Sequence, residues 1–107
     1  MGAFRMTQIT ALVLRSVAAG HRHGFDVMEA CGLASGTAYP ALRRLENAGL
    51  LRSRWEEAAA ALAEGRPRRR TYELTQQGRG ALAEAEAKLA DVRRLLEDLS
   101  PVRARGA

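Results

Sequence analysis

The chain has 107 residues, enough for one domain with a modest core, and nearly half of them are apolar. Charges of both signs are abundant, which excludes a disordered tail and fits a folded soluble protein. The net charge is +5, and Lys88 is the only lysine beside sixteen arginines; a GC-rich codon habit explains arginine over lysine but not the positive sign, which with arginine's fit to phosphates and guanine edges suggests nucleic acid.

Residues 7–19 form the first predicted element. Ile9, Leu12, Val13 and Val17 recur at helical spacing, with Thr7 as N-cap and Gly20 as the stop. Leu14 and Ala18 widen this apolar face, as on a helix covered from two sides. The apolar run at 9–14 is too short to span a membrane, and we read no targeting segment, so a cytoplasmic location is expected. Residues 25–30 read as a short helix ended by Gly32. Cys31, the lone cysteine, excludes an intrachain disulfide and reads as a buried structural thiol. His21, His23 and Cys31 lack the fourth ligand that structural zinc wants, so no metal or other cofactor is expected.

A third helix begins near Ser35-Gly36-Thr37 and runs to residue 48, capped by Ser35 or Thr37. Pro40 is tolerated in a first turn, which favours a start close to Thr37. Leu42 and Leu45 face inward and Gly49 ends the helix. Two short helices joined by a tight turn make a helix-turn-helix. Residues 50–56 alternate as a strand, and residues 68–75 carry the strand formers Thr71, Tyr72 and Leu74. Trp55 and Tyr72 are expected in the core of this hairpin. The alanine-rich stretch between the strands is either a helical turn or a mobile loop. From Thr75, a second N-cap, a long helix carries Leu82, Ala85, Leu89, Val92, Leu96 and Leu99 in an a/d heptad pattern.

The expected fold class is therefore mainly α with a small β-hairpin: a winged helix-turn-helix over residues 1–75, a C-terminal dimerisation helix over 76–100, and a disordered tail over 101–107. Ile9, Leu12, Val13, Leu82, Leu89, Val92, Leu96 and Leu99 are the expected dimer contacts.

Several strings in this order resemble the PadR family of transcriptional regulators. They are His23-Gly24-Phe25-Asp26-Val27, then Ser35-Gly36-Thr37-Ala38-Tyr39-Pro40-Ala41-Leu42-Arg43-Arg44-Leu45-Glu46. Asn47-Ala48-Gly49-Leu50-Leu51, Trp55-Glu56, Gly65-Arg66-Pro67-Arg68-Arg69 and Arg70-Thr71-Tyr72-Glu73-Leu74-Thr75 follow. The resemblance implies a DNA-binding homodimer, more often a repressor, of the class with a single short C-terminal helix. It also implies a small hydrophobic or phenolic effector. Some short members line the effector site with an aromatic residue on the last helix. This chain departs from that pattern, with no Trp, Tyr or Phe between residues 76 and 99.

Independently of the family, Arg43 and Arg44 lie on the third helix away from its apolar face, placed to reach bases and phosphates. Ser35, Thr37 and Tyr39 at its start offer hydroxyls to phosphate oxygens. Arg66, Arg68, Arg69 and Arg70 form the densest cationic cluster and would grip the DNA backbone from the wing; on a strand, Arg68 and Arg70 share a face that Arg69 opposes. Paired arginines also occur on ordinary solvated faces. An alternative is a winged-helix protein-interaction module without DNA contact, which would have little need of the cluster at 66–70. No catalytic constellation is present, and Gly78-Arg79-Gly80 lacks the lysine of a phosphate loop, so an enzyme is not expected.

Overall fold

The computed structural model describes residues 4–99 and 101–102. The tail expected beyond 102 lies outside the described residues, as does Ser100.

Helix α1 spans Gln8–Ala18 and opens on a reciprocal cap. The Thr7 hydroxyl accepts from the Thr10 amide at 3.1 Å, and the Thr7 amide donates to the Thr10 hydroxyl at 2.8 Å. Val13, Leu14 and Val17 point into the core. This corrects one dimer-contact expectation: Val13 is wholly buried within its own chain and has no face to offer a partner. Leu82 is likewise nearly buried, whereas Leu12 is half exposed. A broad apolar face does not say which stripe meets the core and which meets a neighbour.

Helix α2 spans Gly24–Cys31 and ends at Gly32, whose φ of 65° is the left-handed turn that glycine adopts without strain. Cys31 is only partly buried, not fully as expected, with its thiol 3.5 Å from the Leu12 carbonyl. Helix α3 spans Ser35–Asn47. It starts earlier than expected: Ala34 is the N-cap, and neither Ser35 nor Thr37 caps it. The Ala34 carbonyl already accepts from the Thr37 and Ala38 amides. Pro40 consequently sits in the second turn, where its missing N–H forgoes a single helical hydrogen bond. Ala38, Ala41, Leu42 and Leu45 repeat every three or four residues and are all buried. Full burial of a leucine such as Leu42 or Leu45 contributes about 1.5–3 kcal/mol.

Strands β1 (Leu51–Trp55) and β2 (Arg70–Leu74) form an antiparallel hairpin. Leu51 faces Leu74, Ser53 faces Tyr72 and Trp55 faces Arg70. A third edge, without strand-forming character in its sequence, joins this sheet: His23 bridges Thr71, and the Tyr72 amide donates to the Arg22 carbonyl at 2.8 Å. The alanine run between the strands folds into a short helix, α4, spanning Ala58–Ala63. Tyr72 takes its expected core position and burial pushes its phenol pKa up. Trp55 does not: it is 54% exposed on the outer end of the hairpin.

Helix α5 spans Gln76–Asp98. Thr75 caps it through the Gly78 amide at 3.0 Å while its own hydroxyl donates to the Gly49 carbonyl at 2.6 Å. That pair of bonds fastens α5 to the junction of α3 and β1. Its first turns pack on α1, with Leu82 and Ala85 buried, and its later turns extend away from the chain's own core.

Candidate nucleic-acid interface

Helix α3 and the hairpin diverge around an open cleft of about 420 Å³. From α3 it is lined by Tyr39, Arg43 and Glu46, which sit one turn apart on one face of the helix. From the hairpin come Trp55, Arg68, Arg69 and Arg70; His23 and Phe25 close the end at α2. The sequence expectation named Tyr39, Arg43 and the arginines but not His23, Phe25 or Trp55. A two-residue alternation puts Trp55 on the face of Ser53, but only the pairing register shows that Arg70 stands opposite it.

Arg43 and Arg44 are both exposed, yet the helix separates them. Arg43 lines the cleft and Arg44 does not. Thr37 lies two turns before Arg44 and shares its side of the helix; Ser35 and Thr37 are exposed at the helix start. Tyr39 lies with its ring against the backbone of Gly24, where a Cβ would stand 3.0 Å from the Tyr39 Cζ. The α2 glycine thus seats the α3 tyrosine, whose side chain remains partly exposed.

The four wing arginines divide into two kinds. Arg66 forms a bidentate pair with Glu56, donating from Nη2 at 2.9 Å and from Nη1, and adds Glu64 at 3.2 Å. The Arg66 hydrogen bonds hold the Glu56 carboxyl down at about pKa 2, helped by the Arg69 amide and opposed by desolvation; Glu56 in turn raises the Arg66 guanidinium further. Arg69 also turns to Glu56, with its amide at 3.0 Å and its Nη2 at 3.7 Å. Arg66 was expected to grip DNA; here its guanidinium is occupied by Glu56, whose side chain is mostly covered, and by Glu64. Arg68 and Arg70 have no carboxylate within 4.0 Å among the described residues, nor do Arg43 and Arg44. Arg68 and Arg70 place their guanidinium carbons 6.0 and 5.2 Å from the centre of the Trp55 ring. The strand begins only at Arg70, so the alternation expected across 68–70 does not apply to Arg68 and Arg69, and all three arginines line the cleft.

Between α1 and α5 lies a mainly apolar groove of about 340 Å³ lined by Ala11, Leu12, Leu82, Ala85 and Leu89, with Gln8 and Glu86 also lining it. Among the described residues no cluster of His, Cys, Asp or Glu is arranged to hold a metal ion, and no helix is long and apolar enough to cross a membrane.

A helix-turn-helix followed by a basic two-stranded wing defines a winged-helix DNA-binding protein of the transcription-regulator class. Residues 13–84 match the model of the transcriptional regulator PadR-like family, and the chain belongs to that family. It is a family of transcription regulators, not of enzymes. No curated protein matches the chain in sequence. Among solved structures, the chain is similar to a PadR family transcription regulator from Clostridium difficile, at 21% identity and a TM-score of 0.75, over 85% of this chain and 96% of that one. A PadR-like transcriptional regulator from Bacillus cereus shares 17% identity with a TM-score of 0.73, over 89% and 93% of the two chains. The PcaV transcriptional regulator from Streptomyces coelicolor, solved with its natural ligand, shares 23% identity with a TM-score of 0.73; the match covers 89% of this chain and 64% of PcaV.

Proposed function

We propose that this regulator binds a pseudo-palindromic DNA operator as a homodimer and represses transcription there. The observation that carries the reading is the convergence of Arg43, Arg68 and Arg70 on one cleft, each without a carboxylate partner among the described residues. Helix α3 reads bases through Arg43 and, from its other side, through Arg44, with Ser35, Thr37 and Tyr39 steadying the backbone at its start. Arg68 and Arg70 hold phosphates from the wing, and Arg69 is a weaker contributor because it leans on Glu56. The winged-helix head ends at Thr75, and α5 with Leu12 and Ile9 of α1 is the dimer surface: Leu89, Val92, Leu96 and Leu99 are each about half or more exposed in the isolated chain. Two-fold symmetry then sets the two α3 helices one DNA turn apart. A small hydrophobic or phenolic effector releases the DNA by favouring another dimer geometry. The apolar α1–α5 groove supports this, as does the natural ligand of PcaV on the same fold.

The test is titration of DNA from the region upstream of the chain's own coding sequence, with excess nonspecific competitor and at several salt concentrations. The expected result is a specific complex of dimer stoichiometry with a steep negative log–log salt slope. Replacing Arg43 with alanine should relax sequence preference by about 1–3 kcal/mol. A folded dimer that shows no salt-dependent binding to any duplex would overturn the reading in favour of a protein-interaction module.

A further inference from the structure

We propose that Trp55 is a positioning residue for DNA binding: its indole ring holds both Arg68 and Arg70, which line the cleft with it. The inference rests on the reading of those two arginines as phosphate contacts. Trp55 is 54% exposed and stands outside the packed core, which Leu51, Tyr72 and Leu74 fill on the same side of the hairpin. An exposed tryptophan gives up much of the burial that makes the residue useful elsewhere. Here its ring has a different occupant. Arg70 is its direct cross-strand partner, and the guanidinium carbon lies 5.2 Å from the ring centre. Arg68, two residues back in the loop before β2, lies at 6.0 Å. Arg68 is fixed a second time, by its Nε donating to the Glu56 carbonyl at 2.8 Å, which leaves its terminal nitrogens for another acceptor.

Two guanidinium groups at one ring repel each other, and the negative face of the indole offsets part of that repulsion. An anion that reaches both offsets the rest. Arginine side chains lose rotamer freedom when they grip a phosphate; those already laid on a ring have lost much of it beforehand, so binding costs less. A ring face is indifferent to base sequence, so the effect on affinity should be uniform across DNA sequences.

The test compares wild type, Trp55→Phe, Trp55→Leu and the double variant Arg68→Met/Arg70→Met on a mixed-sequence duplex, with thermal unfolding of each protein alone. Trp55→Leu should weaken binding about two- to fivefold, the factor that one exposed cation–π contact is worth, with an unchanged unfolding midpoint. Trp55→Phe, which keeps a ring, should restore most of the loss. The double arginine variant should also bind more weakly and flatten the log–log salt slope by about 2 for each protomer on the DNA, or about 4 for a bound dimer. If Trp55→Leu binds as wild type does while the double arginine variant is impaired, the role of Trp55 is overturned and the phosphate reading stands. If Trp55→Phe is as weak as Trp55→Leu, the ring is not what matters and the proposal falls. If the double variant keeps wild-type affinity and slope, the phosphate reading itself fails and this inference with it. A second measurement needs no DNA, since Trp55 is the chain's only tryptophan. Iodide, drawn by the two guanidinium groups, should quench its fluorescence more in wild type than in the double variant, while neutral acrylamide quenches both alike. Equal iodide quenching would mean that the arginines do not rest on the ring.

Discussion

Replacing Gly78 by alanine puts a methyl group where the backbone of Leu50 already lies. A Cβ there would overlap the Leu50 carbonyl oxygen and stand 2.9 Å from its carbonyl carbon, and neither is the end of a side chain that can swing away. The start of α5 must therefore retreat from the α3–β1 junction. Overpacking of this kind costs about 2 kcal/mol. The retreat also strains the Thr75 bonds to Gly49 and Leu50, at 2.6 and 3.1 Å, and losing one costs about 1 kcal/mol. Alanine returns about 1 kcal/mol of helix propensity relative to glycine. The net expectation is a loss of about 2 kcal/mol, by the sum of those terms. Gly80, one half-turn on, is the internal control: it is exposed, with nothing within 4 Å of a Cβ, so Gly80→Ala should stabilise by up to about 1 kcal/mol. Urea unfolding followed by circular dichroism, at one fixed protein concentration because a dimer's stability depends on it, measures both. A Gly78→Ala protein as stable as Gly80→Ala would refute the packing argument.

Three further outcomes are expected. Glu56 has its pKa lowered from 4.5 to about 2, so its contribution to stability is complete above about pH 4.5 and fades as the pH falls toward 2; Glu56→Gln should be less stable at neutral pH and lose less on acidification, as read from unfolding midpoints between those limits. Thr7→Ala removes the hydroxyl that accepts from the Thr10 amide, leaving the Thr7 amide bond to the Thr10 hydroxyl, and should cost about 1 kcal/mol in the same urea assay. Leu89→Glu with Leu96→Glu places charge on the exposed stripe of α5 and should yield folded monomers in sedimentation; a stable dimer would locate the interface elsewhere.

Local chemistry made most of the fold legible. The left-handed turns at Gly32 and Gly49, the Thr7 and Thr75 caps, and the three-and-four spacing of Leu42 and Leu45 need only neighbouring residues to be read. What escaped depends on distant partners. Arg66 looks like its neighbours in sequence, and only the return of the wing loop onto Glu56 separates it from Arg68 and Arg70. Trp55 reads as a core residue until the strand register places it opposite Arg70 at the open end of the hairpin. Val13 and Leu12 are adjacent on one apolar helix, and only the docking of α3 against α1 decides that Val13 goes inward. Ala34 carries no cap signal, so the early start of α3 was illegible too.

The joint at Gly78 bears on how a dimer of this chain would work. Thr75 and Gly78 tie the first turn of α5 to Gly49 and Leu50, the residues that link α3 to the hairpin. With Leu82 and Ala85 buried against the head and Arg15 reaching Glu86 at 3.7 Å, the first three turns of α5 belong to the head's own packing. Beyond them Val92, Leu95, Leu96 and Leu99 are exposed, so in the dimer we propose those turns carry the partner contacts. A rotation between paired α5 helices would then pass to α3 with little bending in between, since a helix is stiff and its root is bonded to the head. Gly78→Ala loosens that root without touching the cleft between α3 and the hairpin or the outer stripe. In the dimer we propose, it should therefore weaken binding to the two-site operator much more than to a mixed-sequence duplex, because only the former depends on the spacing of two heads. Equal losses on both would mean that α5 does not set that spacing.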